Sequence, residues 1–408
     1  MKNLISPATF VLSINLLVFI LWLIIPVEAY NHMAMGIEKN LSIMATGFFL
    51  SILMLFIISI QVGEHFIKGK HYREQFLPSK TIKKIIIISL LISIFGLIKY
   101  FYDLSQHLDG NLIIEIINLN VILIKKTAVE NGLRTPYVFN LNYIAIILVL
   151  INKFIYKRKN ALILYILACI TPLARAIFMG ERNSIIYIFL IIILFSLNDK
   201  NTRRSFLKLI TYGILSVSFF IFVESFRSFV IFKDSGIAEN SLLWGFSTLI
   251  NYLVLPINYL QYTVENINVV TFPALSLDLI YGQLDFLDII VSQKTLFLEV
   301  RNAILNSTSG SEAFNNLSFF SEIYIEFNLF SYLYIIFLGI FVGTFFTLFK
   351  KQQLIAMLVY PMIFVGLFES YRLNFFNNST FITVNLFILI IFFGYLKKHI
   401  TYYEKEMQ

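Results

Sequence analysis

Residues 41–61 read LSIMATGFFLSILMLFIISIQ, and residues 62–83 read VGEHFIKGKHYREQFLPSKTIK. The first segment is apolar for about the 20 residues that a helix needs to cross the hydrocarbon core of a bilayer. The second is rich in lysine and separates this run from the next apolar run, at 84–102. The same alternation of an apolar run and a polar gap recurs along the chain. It predicts a polytopic membrane protein.

The overall composition indicates the same class. The chain has 408 residues, of which 58% are hydrophobic, and its mean hydropathy is +0.79. A soluble protein covers its surface with polar groups, so 43 Phe and 22 Tyr residues in such a chain require lipid as the solvent. Helices satisfy their own backbone hydrogen bonds in lipid. We therefore expect an all-α fold in which residues 1–408 form a single membrane domain.

The apolar runs predict about ten membrane helices. The first run is long for the core of a secretory signal and is followed by no small-residue cleavage pattern, so we expect it to be retained as a helix. The predicted spans are 4–25, 41–61, 84–102, 137–155, 161–179, 183–197, 206–223, 327–349, 354–369 and 380–396.

The distribution of basic residues predicts the orientation of these helices. Most of the 32 Lys and Arg residues lie near the N-terminus, in the gaps 62–83, 156–160, 198–205 and 350–353, and in the C-terminal tail. These segments fall on one side of the membrane if both termini are inside, as the positive-inside rule requires. The net charge of +8 then reflects anchoring at the inner face, and binding of nucleic acid has no support.

Two long interruptions fall on the predicted outer side. The outer loop 103–136 contains an apolar run that predicts an interfacial helix. The larger outer loop, 224–326, is too apolar for a linker and yet carries prolines and many acids. We expect short interfacial or re-entrant helices there. Two additional spans in this loop would raise the number to twelve without moving either terminus.

Arginine is concentrated away from the predicted inner face, where lysine predominates. The planar guanidinium group binds phosphate or carboxylate in a bidentate manner, whereas anchoring needs only a point charge. This bias predicts an outer face that binds an anionic ligand. The alternative for each arginine is an ion pair with a nearby acid. The arginines concerned are Arg134, Arg175, Arg182, Arg227, Arg301 and Arg372.

Arg175 and Arg182 lie between two apolar runs, of which the second is short for a membrane span. We therefore expect Arg182 at or below the outer headgroup level. Charge at that depth is costly and marks a functional site, unless the arginine pairs with Glu181 or Glu224.

Two acid–arginine pairs have a spacing of three residues, Glu224 with Arg227 and Glu369 with Arg372. This spacing places both members on one helical face. Either pair forms a local salt bridge or contributes to a ligand site, and the sequence leaves both alternatives open.

Glu322 and Glu326 lie in SEIYIEFNLF at 321–330, where their spacing stacks two like charges on one helical face. Such a pair favours a proton acceptor or a partner for arginine, and the alternative is two carboxylates exposed to water. Further along, Gly339 and Gly343 form a GxxxG pattern, which is typical of close helix packing in membranes.

Several activities lose support because their motifs are missing from the sequence. It contains no phosphate-binding loop of the Walker type, no dinucleotide fingerprint and no Gly-x-Ser-x-Gly elbow. Asp103, His107 and Asp109 are too poorly spaced to predict a metal site. We expect neither a metal nor another cofactor.

The chain resembles the O-antigen (oligosaccharide repeat unit) polymerases of bacterial envelopes, the Wzy-type proteins. The shared features are about ten spans over nearly the whole chain and a large outer loop before the last three helices. The segment Gly-Glu-Arg-Asn-Ser at 180–184 and the stretch 321–330, which leads into a helix containing Leu-Gly, also contribute.

The resemblance implies a multi-pass glycosyltransferase of the bacterial inner membrane. It would transfer a growing glycan from polyprenyl diphosphate to the nonreducing end of a lipid-linked repeat unit at the outer face. A chain-length regulator protein is an implied partner. Within this scheme, arginines that stabilise the diphosphate and a carboxylate that acts as general base supply the chemistry.

For the base we expect Glu322 or Glu326. The expected contacts to diphosphate or glycan are Arg175, Arg182, Arg227, Arg301, Arg372 and Tyr324. Two other functions remain open. One is a flippase for lipid-linked oligosaccharides, which would favour charges deep within several helices. The other is an O-antigen ligase or a similar lipid-sugar transferase.

Overall fold

The computed structural model describes most of the chain and is almost entirely helical there. The described residues are 6–25, 42–70, 72–108, 114–115, 124, 127, 131, 137–158, 162–178, 182–197, 211, 214, 217–218, 221–222, 241–267, 270–271, 296, 298–305 and 317–402. In chain order, the main helices are α1 (Pro7–Ile24), α2 (Ile43–Lys68), α3 (Ser79–Ser105), α4 (Leu141–Leu150), α5 (Leu162–Phe178), α6 (Arg182–Ser196), α7 (Ser241–Asn266), α8 (Phe319–Phe327), α9 (Ser331–Lys350), α10 (Leu354–Glu369) and α11 (Ser379–Gly394).

Among the described residues, five helical stretches are long and apolar enough to cross a membrane. They are Pro7–Ile24, Ile43–Lys68, Ser79–Ser105, Tyr137–Ile155 and Phe319–Lys350, and shorter apolar helices occupy Asn183–Ser196, Leu354–Glu369 and Ser379–Gly394. An all-α fold of the membrane type is therefore confirmed. Ten spans and an inner location of both termini stay predictions, and only isolated residues of the predicted span at 206–223 are described.

Helix α2 is longer than the apolar run that predicts it. It continues to Lys68 and is capped by Gly69. The added turns pack against α9, where Thr344 and Thr347 donate hydrogen bonds to the backbone oxygens of Gly63 and Glu64 at 3.5 and 3.4 Å. Tertiary contacts therefore extend the helix beyond its apolar segment.

Small residues allow α2 and α9 to pack backbone against backbone. A Cβ atom added at Gly339 would come within 2.5 Å of the Ser59 Cβ, and one added at Gly343 within 2.7 Å of the Glu64 backbone nitrogen. From the other helix, a Cβ at Gly63 would collide with the Ile340 backbone. The GxxxG pattern is thus confirmed as a helix-packing surface, in which glycine allows the close approach that lipid-exposed helices need.

Helix α4 lies at the centre of the bundle. Every side chain from Leu141 to Leu150 is buried. The helix begins after a 3-10 turn at Tyr137–Asn140 and ends in a π turn at Ile151–Ile155. Helices α3, α5, α6, α10 and α11 surround it. An apolar surface on all sides is what a central helix requires.

Helix α7 differs from the short helices that the sequence predicts between 224 and 326. It is one helix of 26 residues with Pro256 inside it. Proline ordinarily ends or kinks a helix because it lacks a backbone donor. Here the following turns are held by tertiary contacts: Trp22 donates to the Asn258 Oδ1 at 2.7 Å, and Gln261 accepts from the Ser42 backbone nitrogen at 2.7 Å. The interfacial or re-entrant character of this loop stays a prediction.

Several segments that the sequence assigns to the inner side meet at one end of the bundle, which we call the basic end (68–70, 72–76, 350–354, 401–402 and Tyr156). There Gln75 and Phe76 pair antiparallel with Tyr402 and Thr401 in a two-stranded sheet. The Lys351 ammonium donates to the backbone oxygen of Ile67, at the C-terminus of α2. A cation at this position complements the partial negative charge of a helix C-terminus.

Tyr156 ties the end of the central helix to this sheet. Burial raises the pKa of the Tyr156 hydroxyl to about 12. The hydroxyl donates to the Gln75 backbone oxygen at 3.3 Å. Since α10 starts at Leu354 beside the basic end and rises about 1.5 Å per residue, its last residue, Glu369, lies roughly 22 Å away at the opposite end.

Candidate functional site

A short helix places two of the predicted acids at this opposite end. Helix α8 begins after Ser318, whose hydroxyl accepts from the Ser321 backbone nitrogen at 2.9 Å as an N-cap. It ends at Asn328, which has a φ of 46°, a conformation that asparagine tolerates better than most residues. The turn that begins at Asn328 separates α8 from α9 and so sets the direction of α8. Glu322 and Glu326 lie one turn apart on it.

Glu326 is fully buried and bonded to an amide. Its Oε2 accepts from the Asn377 Nδ2 at 3.0 Å, and the Asn377 Oδ1 accepts from the Tyr334 hydroxyl at 3.1 Å. Asn377 belongs to the 3-10 turn Phe375–Asn377, between α10 and α11. For Glu326 the structure excludes the alternative of a carboxylate exposed to water, because none of its surface is accessible.

Glu322 is more accessible than Glu326 and also contacts the segment between α10 and α11. It is half-buried, and its Oε2 accepts from the Asn374 backbone nitrogen at 2.9 Å. Arg301, in the helical segment 298–305, and Arg372 both lie close enough to act electrostatically on its carboxylate. The structure therefore brings together three of the predicted site residues.

Glu369 and Arg372 form the local salt bridge that their spacing allows. The Arg372 Nη2 lies 2.8 Å from the Glu369 Oε2, and the Arg372 Nε donates to the same oxygen at 2.9 Å. Their side chains are 1% and 7% exposed, so the pair is buried. Arg372 also donates to the Asn183 Oδ1 at 3.2 Å, which brings the first turn of α6 to this end of the bundle.

Replacing Glu369 by alanine is expected to destabilise the folded protein by about 3–5 kcal/mol, because the Arg372 charge would remain buried without its carboxylate. Thermal unfolding of the detergent-solubilised protein measures this loss as a lowered Tm.

Lys99→Ala provides the matched control for this substitution. Lys99 pairs with Asp103 at 2.7 Å, but the side chains are 57% and 35% exposed, so their separation should cost less than about 1 kcal/mol. Equal Tm shifts for Glu369→Ala and Lys99→Ala would contradict the importance of the buried pair.

The other predicted arginines are positioned only in part. Arg175 lies in the last turns of α5, and Arg182 is the first residue of α6. The side chains of both are outside the described part of the structure, and Arg227, with Glu224, lies outside the described residues altogether. Asn183, the residue after Arg182, accepts a hydrogen bond from Arg372. The first turn of α6 therefore lies beside the salt bridge.

Tyr324 has a packing contact. Its half-buried ring meets the Phe48 ring edge-on, with 5.1 Å between centroids, and so joins α8 to α2. The structure shows no polar contact of Tyr324 with the described acids that would test its predicted role in substrate binding.

The asparagines of the site are absent from the sequence-based prediction. Asn183, Asn374 and Asn377 each bond a predicted acid or arginine, yet asparagine in a loop ordinarily signals only a turn. A local signal did exist: the segment LNFFNNST at 373–380 concentrates amides between two apolar helices. Polar groups at such a position need partners because water is scarce.

An apolar groove opens next to these residues. It has a volume of about 570 Å³ and is lined by Val270, Phe327, Phe330, Leu333, Tyr334 and Phe337. Phe330 and Phe337 are largely exposed on the stretch Phe319–Lys350, which is apolar enough to face lipid. Tyr334 joins the groove to the acids, because its hydroxyl donates to Asn377 and Asn377 donates to Glu326.

Comparisons with known proteins leave the family open. The chain matches no protein-family model, no curated protein and no solved structure.

Proposed function

We propose that the protein is an oligosaccharide repeat unit polymerase of the bacterial inner membrane. The observation that carries the proposal is the half-buried Glu322, which lies near Arg301 and Arg372 at the end of the bundle away from the basic end. The site would lie at the outer face if the positive-inside orientation is correct. Glycan transfer from a diphosphate needs a base for the acceptor hydroxyl and positive charge near the leaving diphosphate. A carboxylate and guanidinium groups at one site match these two needs.

In the proposed reaction, Glu322 accepts the proton of a hydroxyl group on the nonreducing-end sugar of the acceptor. The acceptor oxygen forms a bond to the anomeric carbon of the donor glycan. The bond from that carbon to the diphosphate oxygen breaks, and polyprenyl diphosphate leaves with the electron pair. A positioned base of this kind contributes on the order of 10²–10⁴-fold to the rate.

Positive charge near the leaving diphosphate is the second requirement. Arg301 is close enough to act electrostatically on the Glu322 carboxylate, so we assign it a direct role. The N-terminus of α6, with Arg182 as its first residue, adds backbone donors and a positive dipole end. Arg372 is held by Glu369 and Asn183, which suits a residue that orients the site.

The apolar groove is suited to the substrate's polyprenyl chain. Its lining is almost entirely hydrocarbon, and it faces the side of the stretch Phe319–Lys350 where lipid would lie. A lipid chain in the groove would hold the diphosphate near Tyr334 and Glu326. This arrangement would let the enzyme bind a lipid-linked substrate from within the bilayer.

The described charges favour a polymerase over a flippase. Glu322, Glu326, Glu369 and Arg372 all lie around α8 and the connection from α10 to α11. A flippase would be expected to carry polar groups along a path between the two faces. An O-antigen ligase has the same chemical needs, and only its acceptor would distinguish it. A chain-length regulator protein is the partner that the resemblance implies.

Reconstitution tests the proposal directly. Purified protein in liposomes, given lipid-linked repeat units at its outer face, should lengthen them without ATP or divalent metal. In cells, deletion of the gene should collapse a glycan ladder to a single short band, because export and ligation of one unit are separate activities. Movement of units between leaflets without their joining would replace the polymerase by the flippase. Transfer of the glycan only to a different acceptor would indicate a ligase.

A further inference from the structure

The buried side chain of Asn374, next to Glu322, has no hydrogen-bonding partner among the described residues. The residue is 3% exposed, and among the described groups none hydrogen-bonds its Nδ2 or its Oδ1. The backbone nitrogen of the same residue donates to the Glu322 Oε2 at 2.9 Å. The Tyr334 hydroxyl donates to Asn377 and lies close enough to the Asn374 side chain to interact with it. An amide that makes no hydrogen bond of normal geometry with the described groups therefore lies next to the proposed base.

The surrounding structure fixes the position of this amide. The Leu373 backbone nitrogen donates to the Glu369 backbone oxygen at 2.9 Å, which folds the chain back at the end of α10. Phe375 follows, and its ring packs edge-on against Tyr187, with 5.0 Å between centroids. Phe376 is anchored against α10, since a Cβ added at Gly366 would come within 2.9 Å of its ring. Asn374 is thus held between rigid anchors.

A buried amide in this state is uncommon in folded proteins. Most buried polar side-chain atoms have a partner, because an unsatisfied donor or acceptor costs free energy. Unsatisfied groups persist where they serve a ligand, a catalytic step or an ordered water. The position next to Glu322 favours a ligand here.

We propose that Asn374 binds the acceptor sugar and presents its hydroxyl group to Glu322. This inference rests on the proposed function. An amide offers a donor and an acceptor on adjacent atoms, and neighbouring hydroxyls of a sugar offer the complementary pair. The backbone nitrogen of Asn374 also donates to Glu322. Asn374 would therefore position both the acceptor hydroxyl and the base. Asn374 is then a substrate-binding residue for the acceptor and not for the diphosphate donor.

The test separates the two substrates. Lipid-linked repeat units purified from the gene-deletion strain serve as the donor. The free repeat oligosaccharide, released from its lipid by mild acid, serves as a soluble acceptor with the same nonreducing end. Asn374→Leu preserves volume and removes both polar atoms. Loss of two hydrogen bonds should raise the acceptor KM by about tenfold or more and leave the donor KM within about twofold.

Asn142→Leu is the matched control. Asn142 is also fully buried with both amide atoms unpartnered among the described groups, but it lies on the central helix α4. Its replacement should leave the acceptor KM unchanged. Asn374→Ser, which retains one hydroxyl, should give an intermediate acceptor KM and replaces the leucine variant if that variant does not fold.

Three results would overturn the inference: an unchanged acceptor KM in the Asn374 variants, an equal rise of both KM values, or the same rise in Asn142→Leu. Failure of the proposed function has a different signature, because the wild-type protein itself would then join no repeat units.

Discussion

Replacing Glu322 by glutamine is expected to lower the rate of glycan polymerisation by about 10²–10⁴-fold, the usual contribution of a positioned general base. The amount of folded protein should not change, because the glutamine oxygen can still accept the hydrogen bond from the Asn374 backbone nitrogen. The measurement is the initial rate of lengthening of lipid-linked repeat units in liposomes, with the protein level determined in the same membranes.

Glu326→Gln is the control on the same helical face. Glu326 is fully buried and bonded to the Asn377 amide, and glutamine retains an oxygen for that bond. We therefore expect its rate to stay within about tenfold of the wild-type rate, the size of one neutral hydrogen bond. If Glu326→Gln were inactive and Glu322→Gln active, the roles of the two acids would be exchanged. Full activity of both variants would place the base elsewhere.

Replacing Gly343 by leucine is expected to remove the folded protein from the membrane. The new side chain would meet the backbone of Ile60 and Glu64 on α2, and backbone atoms cannot move aside as a flexible side chain can. Ordinary overpacking costs about 1–3 kcal/mol, and separation of two helices along their whole contact should cost more. Immunoblots of membranes and size-exclusion chromatography in detergent measure the outcome.

Gly47→Leu distinguishes this effect from a general intolerance of leucine at glycine positions. Gly47 lies on α2, and a Cβ there would meet nothing within 4 Å. Leucine also has a higher helix propensity than glycine, so this variant should fold at least as well as the wild type. A folded yield of Gly343→Leu equal to that of Gly47→Leu would show that the α2–α9 contact is not essential.

Local features of the sequence predicted some boundaries well. The predicted spans 137–155 and 354–369 coincide with Tyr137–Ile155 and Leu354–Glu369, since each apolar run is bounded by polar residues or turns. Helix α2 was underestimated because its last turns are stabilised by α9 and not by their own hydrophobicity. In place of short helices, residues 241–266 form one helix through Pro256, whose following turns are held by Trp22 and Ser42.

In the site, too, some features followed from local sequence and others from tertiary contacts. Spacing identified Glu322, Glu326, Glu369 and Arg372 as candidates, because acids and arginines in an apolar chain are costly and therefore informative. It left open whether each was paired or available to a ligand. The asparagines were missed because their partners are far away in sequence: Asn374 meets Glu322 across 52 positions.

The sequence by itself determined that the chain is a helical membrane-type protein and where most of its helices lie. It also determined that Gly339 and Gly343 form a packing surface. These properties depend on hydrophobicity and spacing within one segment, which lipid and helix geometry convert into structure. Only the tertiary structure decided that Arg372 is paired with Glu369, that Glu326 is buried, and that Glu322 lies beside the Asn374 amide. Hydrogen bonds and ion pairs act over about 3 Å, so their partners are set by helix packing and not by local sequence.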